Sequence, residues 1–300
     1  MPANPGPTVL CIQSQVIHGH VGNSAALLPL LRQGFEVWAV PAAILAQHPG
    51  HAAQHPGAAP APFYTPPEAF AAWIDALAAR PNWARLAGLL TGWLGRVEFA
   101  ALLPTMIDRL REANPALPYL CDPVLGDADT GLYVQAELAG YIRETLLPRA
   151  DICTPNHFEL EYLSGTPCTT LAGILAAGSK LLAQMNPANQ RCLVVTSLRR
   201  TDGAVGRAEA LAITDEGAWL ASLPDLGNGV AKGAGDLFAA LFLARRLRGK
   251  NAKKALGFAM AGCYGLLKLA LQAGSSEMLY AQGQEEFIRP IREPDIQRLR

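Results

Sequence analysis

The stretch Thr8–Val40, TVLCIQSQVIHGHVGNSAALLPLLRQGFEVWAV, opens with an apolar strand, TVLCIQS, passes through a glycine-containing loop into the helical pattern SAALLPLLRQG, and ends on a second apolar strand, FEVWAV. The same alternation continues downstream. LAGLLTG, PYLCDP, ADICTPN and RCLVVTS read as further strands, and PEAFAAWIDALAARP, EFAALLPTMIDRLREANP and LAGILAAGSKLLAQM as helices. Near-continuous apolar strands separated by helices predict an α/β fold with a mostly parallel sheet covered on both faces. With 300 residues, 50% of them hydrophobic, the chain can bury a large core, and no internal repeat or second domain breaks it.

Composition removes several functional classes. Lys and Arg number 25, as do Asp and Glu. That balance lacks the basic excess of a nucleic-acid binder and gives no electrostatic support to a membrane-surface role. The six cysteines are scattered, without a CxxC pair, and several sit inside apolar runs, as expected of buried thiols in a reducing compartment. The opening residues MPANPGPTVLCIQSQ show no basic region followed by an apolar stretch of signal-peptide length, so the expectation is a cytoplasmic protein. The apolar run ALGFAMAGCYGLL, thirteen residues from Ala255, is shorter than the roughly 18 needed to span a bilayer and reads as a buried helix. One compositional break, HPGHAAQHPGAAPAPFYTPP at residues 48–67, reads either as an active-site flap or as a surface excursion.

In such sheets ligands gather beyond the carboxyl ends of the strands. Ser14, Asp122, Thr154 and Thr196 each stand where a strand run gives out, which puts them on one rim. Toward the same rim the stretch VAKGAGDLFAALFLARR, residues 230–246, brings a glycine turn and one carboxylate, Asp236, to the start of an apolar helix. The turn Gly233-Ala234-Gly235 leaves little side chain to obstruct a ligand, and the helix start offers unpaired amides and a positive dipole end. Asp236 is then either a helix cap or a base that takes a proton from an attacking hydroxyl while the amides hold phosphoryl charge. The dipole favours its ionised form.

Three more stretches bear on that choice. In TPNHFELEYLSG, Asn156 and Glu159 share a helix face and either orient a hydrated divalent ion or form a capping box. In CDPVLGDADTGLY, Asp122 ends a strand over the place where phosphates and Mg²⁺ would lie, although turn chemistry also accounts for Asp122 and Asp127. Thr196 and Ser197 end another strand with two hydroxyls able to donate to phosphate oxygens, or serve as ordinary strand-end residues.

Taken in order, VLCIQSQVIHGHVGNSAA, CDPVLGDADTGLYV, TPNHFELEYLSG, LVVTS and KGAGDLFAALFLARRLRG resemble the motifs of pyridoxal kinase, a member of the ribokinase-like superfamily, over about residues 9–270. The resemblance implies a single domain spanning residues 1–300 with the three-layer α/β/α ribokinase-like fold and no separate lid domain. It also implies a homodimer; the segment at 48–67 stands in the place of the flap, and the extension at 285–300 lies beyond the resemblance. The implied activity is ATP-dependent phosphorylation of the 5′-hydroxymethyl group of pyridoxal, pyridoxine or pyridoxamine, with Mg²⁺ and K⁺ as a candidate activator. Carried over by motif, Asp236 is the base and the amides of Gly233, Ala234 and Gly235 form the anion hole. Glu159 orients Mg²⁺ with Asp122 and Tyr133 beside it, Thr154 and Thr196 contact ATP, and Ser14 touches the vitamer ring. No P-loop and no protein-kinase motif set is present, which removes those phosphoryl-transfer classes.

Two departures stand out. Pyridoxal kinases commonly read GTGD where this chain has Ala234, which keeps the amide and loses a hydroxyl. In the flap, Ala46 and Gln47 replace a Ser-Asn pair, Gly50 stands where a His can reach the substrate, and His51 stands where Tyr is usual. His48 or His51 substitutes there, or both are merely solvated. Two other functions fit the same motifs: a hydroxymethylpyrimidine kinase of the same superfamily, and a vitamer-binding or pyridoxal-phosphate-binding protein without catalysis. The tail EEFIRPIREPDIQRLR, residues 285–300, is expected as a surface extension with a final helix.

Overall fold

The computed structural model describes residues 6–52, 61–227 and 231–300, and only the backbone of residues 51 and 52. Its strands are β1 (Thr8–Val16), β2 (Glu36–Leu45), β3 (Phe63–Tyr64), β4 (Leu86–Thr91), β5 (Tyr119–Cys121), β6 (Gly126–Asp127), β7 (Gly131–Leu132), β8 (Ile152–Cys153), β9 (Cys192–Val195), β10 (Arg207–Thr214), β11 (Gly217–Pro224) and β12 (Asp295–Arg298). Among the described residues, a ten-stranded sheet runs in the order β12-β11-β10-β9-β8-β5-β4-β1-β2-β3. The strands from β9 through β2 pair in parallel. Antiparallel strands close both edges: β3 on β2, and β10, β11 and β12 beyond β9. A separate ribbon, β6 against β7, sits above the parallel strands.

The helices are α1 (Asn23–Arg32), α2 (Pro49–Ala52), α3 (Pro67–Ala78), α4 (Val97–Ala100), α5 (Leu103–Ala113), α6 (Ala136–Tyr141), α7 (His157–Ser164), α8 (Leu171–Gln184), α9 (Ala234–Leu247) and α10 (Ala252–Gln272). Alternation along β1 sorts them into layers, because successive side chains leave a strand on opposite faces. Leu10 and Ile12 join a core with Phe70, Ile107 and Leu181 of α3, α5 and α8. Val9 and Cys11 join a second core with Leu30, Phe242 and Leu256 of α1, α9 and α10. This is the expected three-layer α/β/α arrangement.

The structure differs from the sequence expectations in three places. The helical pattern over residues 98–115 is two helices, α4 and α5, because Pro104 in the first turn of α5 has no amide to continue α4. The Ala-rich segment of β10, a poor strand former by propensity, forms a hairpin with β11 across Asp215 and Glu216. The tail ends as the edge strand β12 rather than a helix, since Pro290 and Pro294 interrupt any helical run before it.

The apolar run from Ala255 lies within α10, whose 21 residues are long and apolar enough to cross a bilayer by length alone. In this fold it is a core helix. Leu256, Ala259 and Leu266 are fully buried in the second core. All six cysteines are buried and free.

Candidate active site

The site begins where α9 begins. Gly233 is the residue before the helix, in the left-handed region at φ 92°, which puts Asp236 in the first turn of α9 rather than at its cap position. A Cβ on Gly233 would lie 1.9 Å from the His20 carbonyl oxygen, which leaves glycine as the residue that fits. Above Gly235 the opposite holds: a Cβ there would meet nothing within 4 Å, so the helix mouth is open to a ligand. The backbone amides of Gly22 and of Asp236 itself lie close enough to the Asp236 carboxylate to pull its pKa down.

Those amides and the helix dipole favour the ionised form, as the sequence suggested. Burial outweighs them and raises the carboxyl to about 6. At neutral pH Asp236 is still mostly ionised, and it sits nearer the working pH than an ordinary aspartate, which suits a general base.

Asp122 ends β5 and is buried. The Thr154 hydroxyl donates to its Oδ1 at 2.9 Å. Burial first, then the negative charges of Glu159 and Asp236, push the Asp122 carboxyl well above the usual range. Asn156 and Glu159 do form the capping box: Asn156 Oδ1 accepts from the Glu159 amide at 2.9 Å, and Glu159 Oε2 accepts from the Asn156 amide at 2.9 Å. Glu159 reaches further, accepting from the Leu125 amide at 2.7 Å through Oε1 and thereby tying α7 to the β5 exit. Burial raises its carboxyl to about 7 against the pull of these amides. Asp127 is held by turn chemistry, its Oδ1 accepting from the amides of Asp129 and Thr130.

These groups face one cavity of about 480 Å³. Asp122, Glu159 and Asp236 bring carboxylates to it, and Gly233 and Gly235 bring the helix mouth. Asn156, Tyr133, Thr196 and Ser197 line its polar side, while Ser14 and Gly50 line it from β1 and the flap. Thr154 lies outside this lining, beneath Asp122. Ala234 contributes backbone at the start of α9 rather than a lining side chain. The His51 side chain and residues 53–60 of the flap lie outside the described residues. A hard cation suits this set by donor type, since carboxylates and other oxygen groups line one cavity and no arginine is among its described lining residues.

Comparison with known proteins agrees with this geometry. A family profile described as phosphomethylpyrimidine kinase matches residues 53–280. Curated pyridoxal kinases from Deinococcus radiodurans and Rubrobacter xylanophilus are 40% and 39% identical, covering 94% and 95% of this chain and 93% and 95% of theirs. The chain belongs to the pyridoxal kinase family. A solved pyridoxal kinase from Leishmania donovani superposes with a TM-score of 0.85 at 27% identity, covering 98% of this chain and 99% of that one. That protein was solved with ADP together with ginkgotoxin, pyridoxamine or pyridoxine.

Much of the opening block proves to be architecture in this pyridoxal kinase family chain. Asn23 Nδ2 donates to the carbonyls of Gln13 and Val40, both at 3.2 Å, and Ser24 Oγ donates to the Val16 carbonyl at 2.9 Å. Together they fasten β1, β2 and α1 so that the intervening loop delivers the Gly22 amide to Asp236. Gly22 itself must be glycine, since a Cβ would lie 2.1 Å from the Ser14 carbonyl oxygen.

Sequence reasoning missed the apolar wall, Lys232 and the strained backbone at Val124 and Ser197, and it left His48 as one of two flap alternatives. Val16, Val21, Leu45 and Trp93 make an apolar wall, and the signal for Trp93 was its place directly after β4 on the shared rim. His48 lines the cavity, with its Nδ1 accepting from the Gly50 amide at 3.0 Å. Lys232 is the one lysine or arginine among the described lining residues. Val124 and Ser197, also lining residues, hold left-handed backbone at φ 44° and 52°, a conformation that non-glycine residues rarely adopt and that clusters at functional sites.

Proposed function

We propose that this protein transfers the terminal phosphoryl group of ATP to the 5′-hydroxyl of pyridoxal, with pyridoxine and pyridoxamine as further acceptors. One observation carries this reading. A base, an open amide mouth, an acidic cluster and an apolar wall all face a single cavity. That is the set that in-line phosphoryl transfer to a flat heteroaromatic alcohol requires.

In this reading the ring lies against Val21, Leu45 and Trp93 with Ser14 as a polar contact. Asp236 accepts the proton of the 5′-hydroxyl as its oxygen attacks phosphorus. The amides of Gly233, Ala234 and Gly235 hold charge on the phosphoryl oxygens, and Lys232 faces the same charge from the flap side. Thr196 and Ser197 donate to the nucleotide phosphates. Thr154 acts through Asp122 rather than on ATP itself. Asp122 and Glu159, with Asn156 and Tyr133 beside them, would hold Mg²⁺, which neutralises phosphate charge when bound. K⁺ activation, a homodimer and a cytoplasmic location rest on the resemblance and the composition.

The test offers pyridoxal, pyridoxine, pyridoxamine and hydroxymethylpyrimidine separately with MgATP in a coupled assay. Pyridoxal is expected to turn over fastest. Turnover of the pyrimidine alone would move the protein to the hydroxymethylpyrimidine kinases, and tight binding of pyridoxal without turnover would make it a binder.

A further inference from the structure

The loop of residues 17–22 approaches the phosphoryl-transfer centre at two points. The His20 carbonyl packs against Gly233, the residue that starts the cradle, and the Gly22 amide lies close enough to Asp236 to lower its pKa. The amides of Ile17 and His18 bond to the carbonyls of Leu45 and Ala46, and Gly22 pairs with Gln15 and caps α1; between them Gly19, His20 and Val21 belong to no helix or strand.

His20, in the middle of the loop, is held from the far end of the chain. The His20 ring stacks on Tyr280, with centroids 4.1 Å apart and planes within 7°. Tyr280 is fixed in turn: its hydroxyl donates to the Ala25 carbonyl at 3.0 Å, and its ring packs on Phe287 at 5.1 Å. Both aromatic partners from the tail, Tyr280 and Phe287, are buried. Met278, two residues before Tyr280, lies beneath Gly233, with its Cε 3.0 Å from where a Cβ would stand.

The stack rather than a hydrogen bond defines the role of His20. Its Nδ1 is buried without a hydrogen-bond partner among the described residues. Burial, aided by His18 and opposed by Glu277, lowers its pKa, so the ring is neutral at physiological pH. A neutral ring lying flat on a phenol acts through its face.

We infer that His20 is a positioning residue for phosphoryl transfer: stacked on Tyr280, it sets the loop whose carbonyl and amide fix Gly233 and Asp236. The inference rests on the kinase reading for its effect on rate and on the contacts alone for its effect on the loop. Misplacing a base by a fraction of an ångström slows chemistry more than it weakens binding.

The test compares His20→Leu, His20→Phe and Tyr280→Leu with the parent. His20→Leu is expected to lower kcat by about tenfold or more while KM for pyridoxal and for ATP stays within about threefold. Tyr280→Leu removes the same stack from the other side and should give the same split. His20→Phe keeps a flat ring and should return kcat to within about threefold of the parent. Parent kcat in His20→Leu, or a His20→Phe enzyme as slow as His20→Leu, overturns the inference. Amide exchange across residues 17–22 supplies a readout without turnover. It should speed up in both leucine variants and not in His20→Phe, and unchanged exchange in the leucine variants overturns the inference. A parent protein that phosphorylates no vitamer defeats the kinase reading instead, and the exchange comparison still judges the loop.

Discussion

Thr154 Oγ1 donates to Asp122 Oδ1 at 2.9 Å, below the floor of the cavity rather than within it. This bond opposes the burial and the neighbouring charges that raise the Asp122 carboxyl. Without it, nothing offsets burial and the charges of Glu159 and Asp236, and the Asp122 carboxyl is pushed further from the charged form a metal needs. Thr154→Val should therefore weaken MgATP binding by about tenfold by calorimetry, whereas Thr154→Ser should match the parent. Equal affinity in Thr154→Val would show that Asp122 needs no such partner.

Asp236 stands at the open mouth of α9 with two amides already close to its carboxylate. Asp236→Asn keeps the shape and removes the proton acceptor. Turnover should fall by about 100-fold or more, while affinity for pyridoxal stays within about tenfold, or about 1.4 kcal/mol. Undiminished turnover would place the base elsewhere.

How much of this was legible in the sequence depends on which physical signal each part carries. The six parallel strands were legible because buried strands read as unbroken apolar runs, and four of them deliver Ser14, Asp122, Thr154 and Thr196 to one rim. The β10–β11 hairpin was hidden by its alanines, and β12 by its charge. Within the site, carboxylates and glycines announced themselves by type. Lys232 and Trp93 did not, since a lone lysine or tryptophan next to a turn carries no pattern of its own. Thr154 was placed on the correct rim yet one layer too high, because strand-end position does not say which way a side chain points. The His20–Tyr280 stack joins residues far apart in the chain, beyond the reach of any local pattern.

The raised carboxyls set a pH dependence of opposite sign for activity and for stability. In the proposed mechanism activity requires both Glu159, at about 7, and Asp236, at about 6, to be ionised. Accordingly kcat/KM should fall below pH 7 and more steeply below pH 6. Stability of the unliganded protein runs the other way. Each group binds its proton more tightly folded than unfolded, so the stabilisation is complete below the ordinary carboxyl range and is lost as pH rises through the folded values. For Glu159, moved from 4.5 to about 7, this amounts to at most about 3 kcal/mol. Thermal melts should show a lower Tm at pH 8 than at pH 5. Glu159→Gln should flatten that slope, and an equally steep slope in that variant would assign it to other groups.

Lys232 is the remaining charge to account for. It lines the cavity beside Gly50, and it adds a small pull to the carboxyls of Asp127 and Asp129, which are lowered mainly by the hydrogen bonds of Thr130 and Asp129 and by Arg199 respectively. A site otherwise dominated by carboxylates would repel a triphosphate, so one mobile ammonium at the cradle has a large share in drawing the nucleotide in. Its importance is greater here because Ala234 supplies no hydroxyl at the cradle. Lys232→Met should lower kcat/KM for ATP by about tenfold to a hundredfold, with less salt dependence than the parent shows. Lys232→Arg, which keeps the charge, should recover most of the loss. Adding Ala234→Thr to Lys232→Met should recover part of it, because a hydroxyl at the helix mouth can donate to the same phosphate oxygens. Parent-like kcat/KM for ATP in Lys232→Met would mean that the amide mouth and the metal suffice to hold the nucleotide.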